Sequence, residues 1–150
     1  MATARSIRED ELAELLELYE MLSSRNESLD SSDPELREEF DRMRTDDSLT
    51  IVAVEHDDHL VATCTVSVTR NLTRDGRPWA VMENVVTHED YRGEGFGTAA
   101  VEYGFDVAEQ AGCYKVMLLT GRESESVLGF YEDCGFDPDE KRGFVRYLDE

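Results

Sequence analysis

The sequence predicts a single α/β domain over residues 1–150, and three observations carry that prediction. A chain of 150 residues with 40% hydrophobic content suits one core of ordinary size. Apolar residues recur at helical spacing up to Met43, then alternate from Leu49 in runs rich in Val, Ile and Thr. Helical and strand patterns then succeed one another, with a glycine-rich stretch, Tyr91-Arg92-Gly93-Glu94-Gly95-Phe96-Gly97-Thr98, between a strand-like and a helix-like run.

Residues 3–8 read as a short first strand. Asp10 is placed as the N-cap of a helix whose stripe is Leu12, Leu15, Leu16, Tyr19 and Leu22. Ser23 to Ser32 is polar and loop-like. Asp33-Pro34-Glu35 opens a second helix, with proline at its first position and Leu36, Phe40 and Met43 as its apolar stripe. Leu49–Val54 and Leu60–Val68 read as strands joined by a hairpin turn from Glu55 to His59. His56 and His59 read as solvated turn residues rather than ligands, and no metal is expected. A second turn, Arg74 to Pro78, leads into a strand over Trp79–Thr87. A helix (Gly95–Ala111), a strand (Lys115–Leu119), a helix (Ser124–Cys134) and a last strand (Phe144–Leu148) complete the order. Gly112 is the stop of the first of these helices.

Net charge is −20, from 35 acidic and 15 basic residues, and only Lys115 and Lys141 are lysines. That field opposes nucleic acid and anionic membranes, so neither is expected as a partner. The acids are spread through periodic segments, which excludes a disordered acidic tail. Such a composition resembles that of cytosolic proteins from salt-accumulating halophiles; an ordinary acidic protein is the plainer reading. No apolar run reaches the about 18 residues of a membrane span. The N-terminus, with Glu9, Asp10 and Glu11, lacks a signal-peptide pattern. Cys64, Cys113 and Cys134 are odd in number and show no Cys-x-x-Cys spacing, which points to small core residues in a reducing cytoplasm.

The glycine-rich stretch carries the chemistry. Its glycines permit a tight turn with several N–H groups facing one concavity, and the helix that follows adds unpaired N–H groups and its positive dipole end. That is a site for phosphate or pyrophosphate. A Walker A loop is excluded, because no lysine followed by a hydroxyl residue is present. A dinucleotide fingerprint fails at its last glycine, where Thr98 stands, and comes too late in the chain.

The pattern that fits is Arg/Gln-x-x-Gly-x-Gly/Ala, given by Arg92, Gly95 and Gly97, and it resembles the acyl-CoA loop of the GNAT N-acetyltransferase superfamily. Glu83-Asn84-Val85-Val86 before the loop and Gly112-Cys113-Tyr114-Lys115 after the helix carry the same resemblance. So does Phe130-Tyr131-Glu132-Asp133-Cys134-Gly135-Phe136, which is similar to the family's Phe-Tyr-x-x-x-Gly-Phe signature. In wording these runs are nearest to glucosamine 6-phosphate N-acetyltransferases. That group, however, carries an aspartate where Leu119 stands and a shorter segment between that position and the tyrosine. The resemblance implies a central, mostly antiparallel sheet with a splayed parallel pair and helices on both faces. It also implies acetyl-CoA as cosubstrate, no metal, a small-molecule primary amine as acceptor, direct attack in a ternary complex, and a homodimer.

Carried onto this chain, the resemblance places the CoA pyrophosphate on the N–H groups of Arg92, Gly93, Glu94, Gly95, Phe96, Gly97 and Thr98. The pantetheine arm runs along Val85, Val86 and Thr87, with Ser124 and Tyr131 also on the cofactor side. Arg92 either adds charge or braces the loop. Tyr131 matches the family tyrosine that protonates the leaving thiolate, yet its helical spacing with Val127, Leu128 and Cys134 also suits a core aromatic. Glu83 takes the amine proton, binds substrate, or faces solvent; His88 is a second candidate base. Arg70, Arg74 and Arg77 either bind an anionic acceptor or solubilise a loop. Transfer to a peptide or protein amine and a noncatalytic acyl-CoA sensor are the competing function classes.

Overall fold

A computed structural model describes residues 2–22 and 29–149, so positions 23–28 of the expected Ser23–Ser32 loop lie outside the described residues. In order, the elements are β1 (Thr3–Ser6), α1 (Leu12–Leu22), α2 (Pro34–Arg44), β2 (Leu49–His56), β3 (His59–Thr69) and a one-turn α3 (Thr73–Gly76). After these come β4 (Trp79–Thr87), α4 (Phe96–Gln110), β5 (Val116–Leu118) and α5 (Glu125–Asp133). The strands form one sheet in the order β1-β2-β3-β4-β5. Every pairing is antiparallel except β4 with β5. The expected α/β class and mixed sheet are therefore present. Two compact units divide the chain, Met1–Leu118, which holds the whole sheet, and Leu119–Glu150.

Local chemistry explains most boundaries. Asp57 and Asp58 both take positive φ (50° and 64°), the pattern of a two-residue type I′ hairpin between β2 and β3. Asp33 accepts a hydrogen bond from the Glu35 amide at 2.9 Å, and Pro34 occupies the first helical position of α2. The entry to α1 differs from expectation. A short 3-10 turn, Glu9–Glu11, precedes it, and Glu11 rather than Asp10 reaches back to the Arg8 amide at 2.7 Å. Burial of Glu11 against Arg5 decides this, because Asp10 is exposed. Gly112 (φ 85°) ends α4 with two bonds, its own amide to Glu109 and the Cys113 amide to Ala108, each 3.0 Å.

Side-chain parity divides the sheet into two covered faces. On one, Cys64, Val66 and Met82 meet α4 at Gly104, where a Cβ would stand 2.6 Å from Met82 Cε. On the other, Leu12, Leu15, Leu16, Leu18 and Phe40 from α1 and α2 pack with Ile51, Ala53 and Val86. Helices thus lie on both faces, as the resemblance implies. The expected last strand is absent: 144–148 is not in the sheet, and Phe144, Val145, Tyr147 and Leu148 are exposed. Its β-favouring residues pair with no strand among the described residues, and propensity alone does not make one.

Candidate active site

The site is built first by a break in strand β4. Glu83 lies opposite Thr65, but the next paired residue, Val86, lies opposite Thr63. Asn84 and Val85 together therefore oppose Cys64, which is a β-bulge. Asn84 sits at its corner with φ 54°. A non-glycine residue there costs about 1–2 kcal/mol, and asparagine is among the residues that tolerate it best. The bulge shifts the parity of the strand. Glu83 and Val86 end on the same face, so Val86 enters the core while Glu83 and Asn84 stay exposed.

Pairing on the other edge of β4 stops at the same place. Strand β5 bonds only to Ala80, Val81 and Met82. From Glu83 onward no described strand pairs with that edge. Helix α1 closes over the bulge from the opposite face. Tyr19 of that helix is half-buried and packs against the core that holds Val86. Burial raises the pKa of its phenol, and the Thr65 and Asn84 side chains pull it partly back. Thr65 Oγ1 is buried without a completed hydrogen bond. Neither Tyr19 nor the bulge was found from sequence. The available signal was Asn84 itself, a residue depleted in strands and tolerant of the left-handed region.

Beyond Thr87 the chain enters the glycine-rich loop. His88 Nδ1 accepts from the Asp90 amide at 3.1 Å, and Arg92 Nε donates to the Thr87 carbonyl at 3.2 Å. His88 is thus a local cap whose Nε2 lies 3.4 Å from Glu17, and the Arg92 side chain braces the loop. Phe96 is buried and anchors the start of α4. Its ring lies 4.8 Å from that of His56 and 6.2 Å from that of Tyr91. His56 is therefore a packing residue under the loop and not the solvated turn residue expected from sequence. The loop's aromatic underside needed a partner, and β2 runs far enough to supply it.

Gly93 and Gly95 both take positive φ (81° and 89°), and Gly95 is the N-cap of α4. The first amide bonded back to Gly95 is that of Ala99, at 3.1 Å. Helical geometry leaves the Phe96, Gly97 and Thr98 amides without intrahelical partners, and Gly95 has no side chain to cap them. No acidic residue stands in the first turn. A Cβ on Gly93 or Gly95 would meet nothing within 4 Å, so the main chain is open to close approach. This donor set fits a pyrophosphate. Phe96 can offer only its amide, because its ring is committed to the interior.

Ser124 and Tyr131 lie in the second unit. Ser124 caps α5, accepting from the Val127 amide at 3.4 Å. Tyr131 lies in the last turn, and its ring meets those of Phe130 and Phe136. The hairpin arginines are largely occupied. Arg77 donates to the carbonyls of Gly112 and Cys113 at 3.2 Å each, and Arg74 stacks 5.0 Å above the Tyr114 ring. Burial pushes the Cys64 thiol up to about 12, which makes it a packing residue and not a nucleophile. Among the described residues no three His, Cys, Asp or Glu side chains are grouped to hold a metal ion. No helix among them is long and apolar enough to cross a membrane.

Known proteins share this fold. A presumed acetyltransferase from Agrobacterium tumefaciens str. C58 is 39% identical, with a TM-score of 0.87 over 97% of this chain and 99% of that one. The glucosamine-6-phosphate N-acetyltransferase structure from Arabidopsis thaliana gives 25% identity and a TM-score of 0.84, covering 99% of each chain. The curated Trypanosoma brucei brucei glucosamine 6-phosphate N-acetyltransferase is 35% identical over 83 residues, 55% of this chain. That match spans about half, 54%, of the relative's length. Residues 13–136 match the pattern of the Acetyltransferase (GNAT) family, from α1 through the loop to the Gly135-Phe136 stop of α5. With sheet, loop and pattern in agreement, the chain belongs to the acetyltransferase (GNAT) family.

Proposed function

We propose that the chain acts as one domain, an acetyl-CoA-dependent N-acetyltransferase that moves an acetyl group to a primary amine of a small molecule. The observation that carries this reading is the uncapped start of α4, open above Gly93 and Gly95 and following the bulged strand β4 directly. The loop amides from Arg92 to Thr98 hold the pyrophosphate, and the unpaired edge of β4 at Val85, Val86 and Thr87 takes the pantetheine arm. Bound acetyl-CoA supplies an activated acetyl carbonyl. An N–H on that edge donates to the carbonyl oxygen as it gains charge.

Glu83 receives the proton that the amine loses as its nitrogen bonds to the acetyl carbon. The carbon–sulfur bond breaks, Tyr131 gives its phenolic proton to the thiolate, and the proton held by Glu83 returns to Tyr131 through water, which restores both residues. The products are the N-acetyl amine and free CoA. Exposure of Glu83 at the bulge supports its access to a dissolved acceptor. The relatives named for glucosamine 6-phosphate make that amine the first acceptor to try. The engaged Arg74 and Arg77 do not favour a phosphate site in the hairpin.

Thiol release from acetyl-CoA, measured with a panel of amines that includes glucosamine 6-phosphate and an N-terminal peptide amine, tests the proposal. Turnover with a small amine supports it. Acetyl-CoA binding without turnover on any amine would instead favour a sensor.

A further inference from the structure

We propose that His88 is a positioning residue for the glycine-rich loop: its neutral ring pins the turn that leads into the loop, and protonation of that ring loosens the loop's hold on acetyl-CoA. The inference rests on the acetyltransferase reading for the identity of the ligand.

The neighbours of the ring assign its proton. His88 stands before the short 3-10 turn Glu89–Tyr91, and its Nδ1 accepts from the Asp90 amide at 3.1 Å. A neutral imidazole that accepts at Nδ1 carries its hydrogen on Nε2. That Nε2 faces Glu17 Oε1 of α1 at 3.4 Å. With its side chain only 16% exposed, the ring is held between α1 and the turn. The main chain is fixed at the same point. The His88 amide donates to the Val61 carbonyl of β3 at 2.8 Å, and the Tyr91 amide to the His88 carbonyl at 2.9 Å.

Tyr91 passes this order to the loop. Its ring meets that of His88 edge to face, with centroids 5.4 Å apart, and lies 6.2 Å from that of Phe96. Tyr91 directly precedes Arg92, and Phe96 gives one of the unpaired amides at the start of α4. Cap, rings and loop amides are therefore one contiguous set. A cradle whose amides are already in place loses less freedom on binding an anion.

Protonation changes the partner of Nδ1. A charged ring carries hydrogen on both nitrogens, and it cannot accept from the Asp90 amide. The charged groups that face it are Glu17 of α1 and Asp90 of the turn, whose Oδ2 lies 3.9 Å from Nδ1. Both attract a charged ring. β3 presents the Val61 carbonyl, and His56 of β2 lies beyond the Tyr91 ring, 6.1 Å from it. Titration thus moves Nδ1 from the amide of Asp90 to its carboxylate, and the turn loses its cap.

Calorimetry of acetyl-CoA binding to wild type, His88→Asn and His88→Ala from pH 8 to pH 5 tests this, beside NMR of the histidine rings in the free protein. Asparagine keeps an acceptor oxygen for the Asp90 amide and does not titrate, whereas alanine offers none. Wild-type affinity should fall about fivefold more than that of His88→Asn, the size of one lost cap. The midpoint of that difference should match the titration of the His88 ring. Change common to both proteins belongs to the ligand's phosphates and the other histidines. At pH 8, His88→Asn should bind as wild type does and His88→Ala about fivefold more weakly. A binding readout also separates this role from that of a base, which would act on turnover. The same pH course in wild type and His88→Asn would overturn the proposal, as would wild-type affinity in His88→Ala at pH 8. A neutral ring with its hydrogen on Nδ1 would overturn it too. Wild-type protein that binds no acetyl-CoA at any pH would overturn the proposal and the acetyltransferase reading together, so the two failures are distinct.

Discussion

Phe136 donates its amide to the carbonyl of Tyr131 at 3.1 Å, and the two rings meet edge to face with centroids 6.0 Å apart. Between them Gly135 takes φ 103° and donates to Glu132 at 2.9 Å. This is a helix stop closed by a left-handed glycine and an apolar contact across it. The run Phe-Tyr-x-x-x-Gly-Phe is thus a structural device that ends α5 and fixes the ring of Tyr131. It leaves the Tyr131 hydroxyl as the group whose chemistry remains to be measured.

The proposed phosphate cradle can be tested against a matched control. Gly95 and Gly112 take nearly the same φ, 89° and 85°, and a Cβ at either meets nothing within 4 Å. Alanine at each should cost about 1–2 kcal/mol through backbone strain alone, a loss of several degrees in melting temperature. Only Gly95→Ala should also weaken acetyl-CoA binding, by about 10-fold in calorimetry, because its methyl group occupies the open face of the loop. Equal affinity in the two variants would remove the cradle from this place.

A buried ion pair sets an acid limit. Arg5 bonds both oxygens of Glu11 at 2.8 Å and also reaches Glu55, tying β1 to the start of α1 and to β2. Burial alone would raise the Glu11 carboxyl, but hydrogen bonds from Arg5 and from the Arg8 amide outweigh it and hold the pKa below its usual value. Those bonds from Glu11 in turn raise the Arg5 guanidinium. A depressed carboxyl contributes stability that is full above its unfolded value, about 4.3, and is lost as pH falls through the folded one. Glu11→Gln should therefore cost roughly 2–3 kcal/mol at pH 7, and the difference from wild type should shrink below about pH 4. Thermal melts of both proteins from pH 7 to pH 3 check it. A constant difference across that range would mean that the pair is not what Glu11 contributes.

Charge predicts a response to salt. With a net charge of −20, self-repulsion should be severe when the Debye length is about 30 Å at 0.01 M and mild at about 3 Å in 1 M salt. Melting temperature should rise through that range of potassium chloride. A flat or falling curve would count against the likeness to halophile proteins and leave an ordinary acidic chain.

Sequence carried the architecture because its periodicities are strong and its punctuation is chemically specific. Asp33-Pro34 fixed the start of α2, Gly112 the end of α4, and Val, Ile and Thr the strands β2 to β4. The tight glycine turn into α4 was legible because glycines and a helix start need no long-range information. What sequence did not carry depends on register and packing. The bulge at Asn84 is set by which valine the core buries. The approach of Tyr19 needs α1 laid across β3 and β4, and the His56–Phe96 contact needs the β2–β3 hairpin to reach the loop. The last strand failed because strand propensity in Phe144 to Leu148 is not matched by a pairing among the described residues.

The mechanistic prediction returns to Tyr131. Tyr131→Phe keeps the ring contact with Phe136 and the helix stop, so the variant should fold. A phenol near pKa ~10 gives its proton to a thiolate whose acid is near ~8.5 only against a gradient, and positioning must supply the difference. If Tyr131 does this, the loss belongs to turnover, because the thiolate forms only as the carbon–sulfur bond breaks. The expected fall in kcat is on the order of 10²-fold, the low end for a positioned acid, since a CoA thiolate leaves tolerably well unaided. Affinity for acetyl-CoA should hold. Steady-state kinetics with any amine that supports activity, on a variant whose melt matches wild type, makes the measurement. Full turnover would leave Tyr131 as the aromatic half of a helix stop, and the thiolate would then take its proton from solvent.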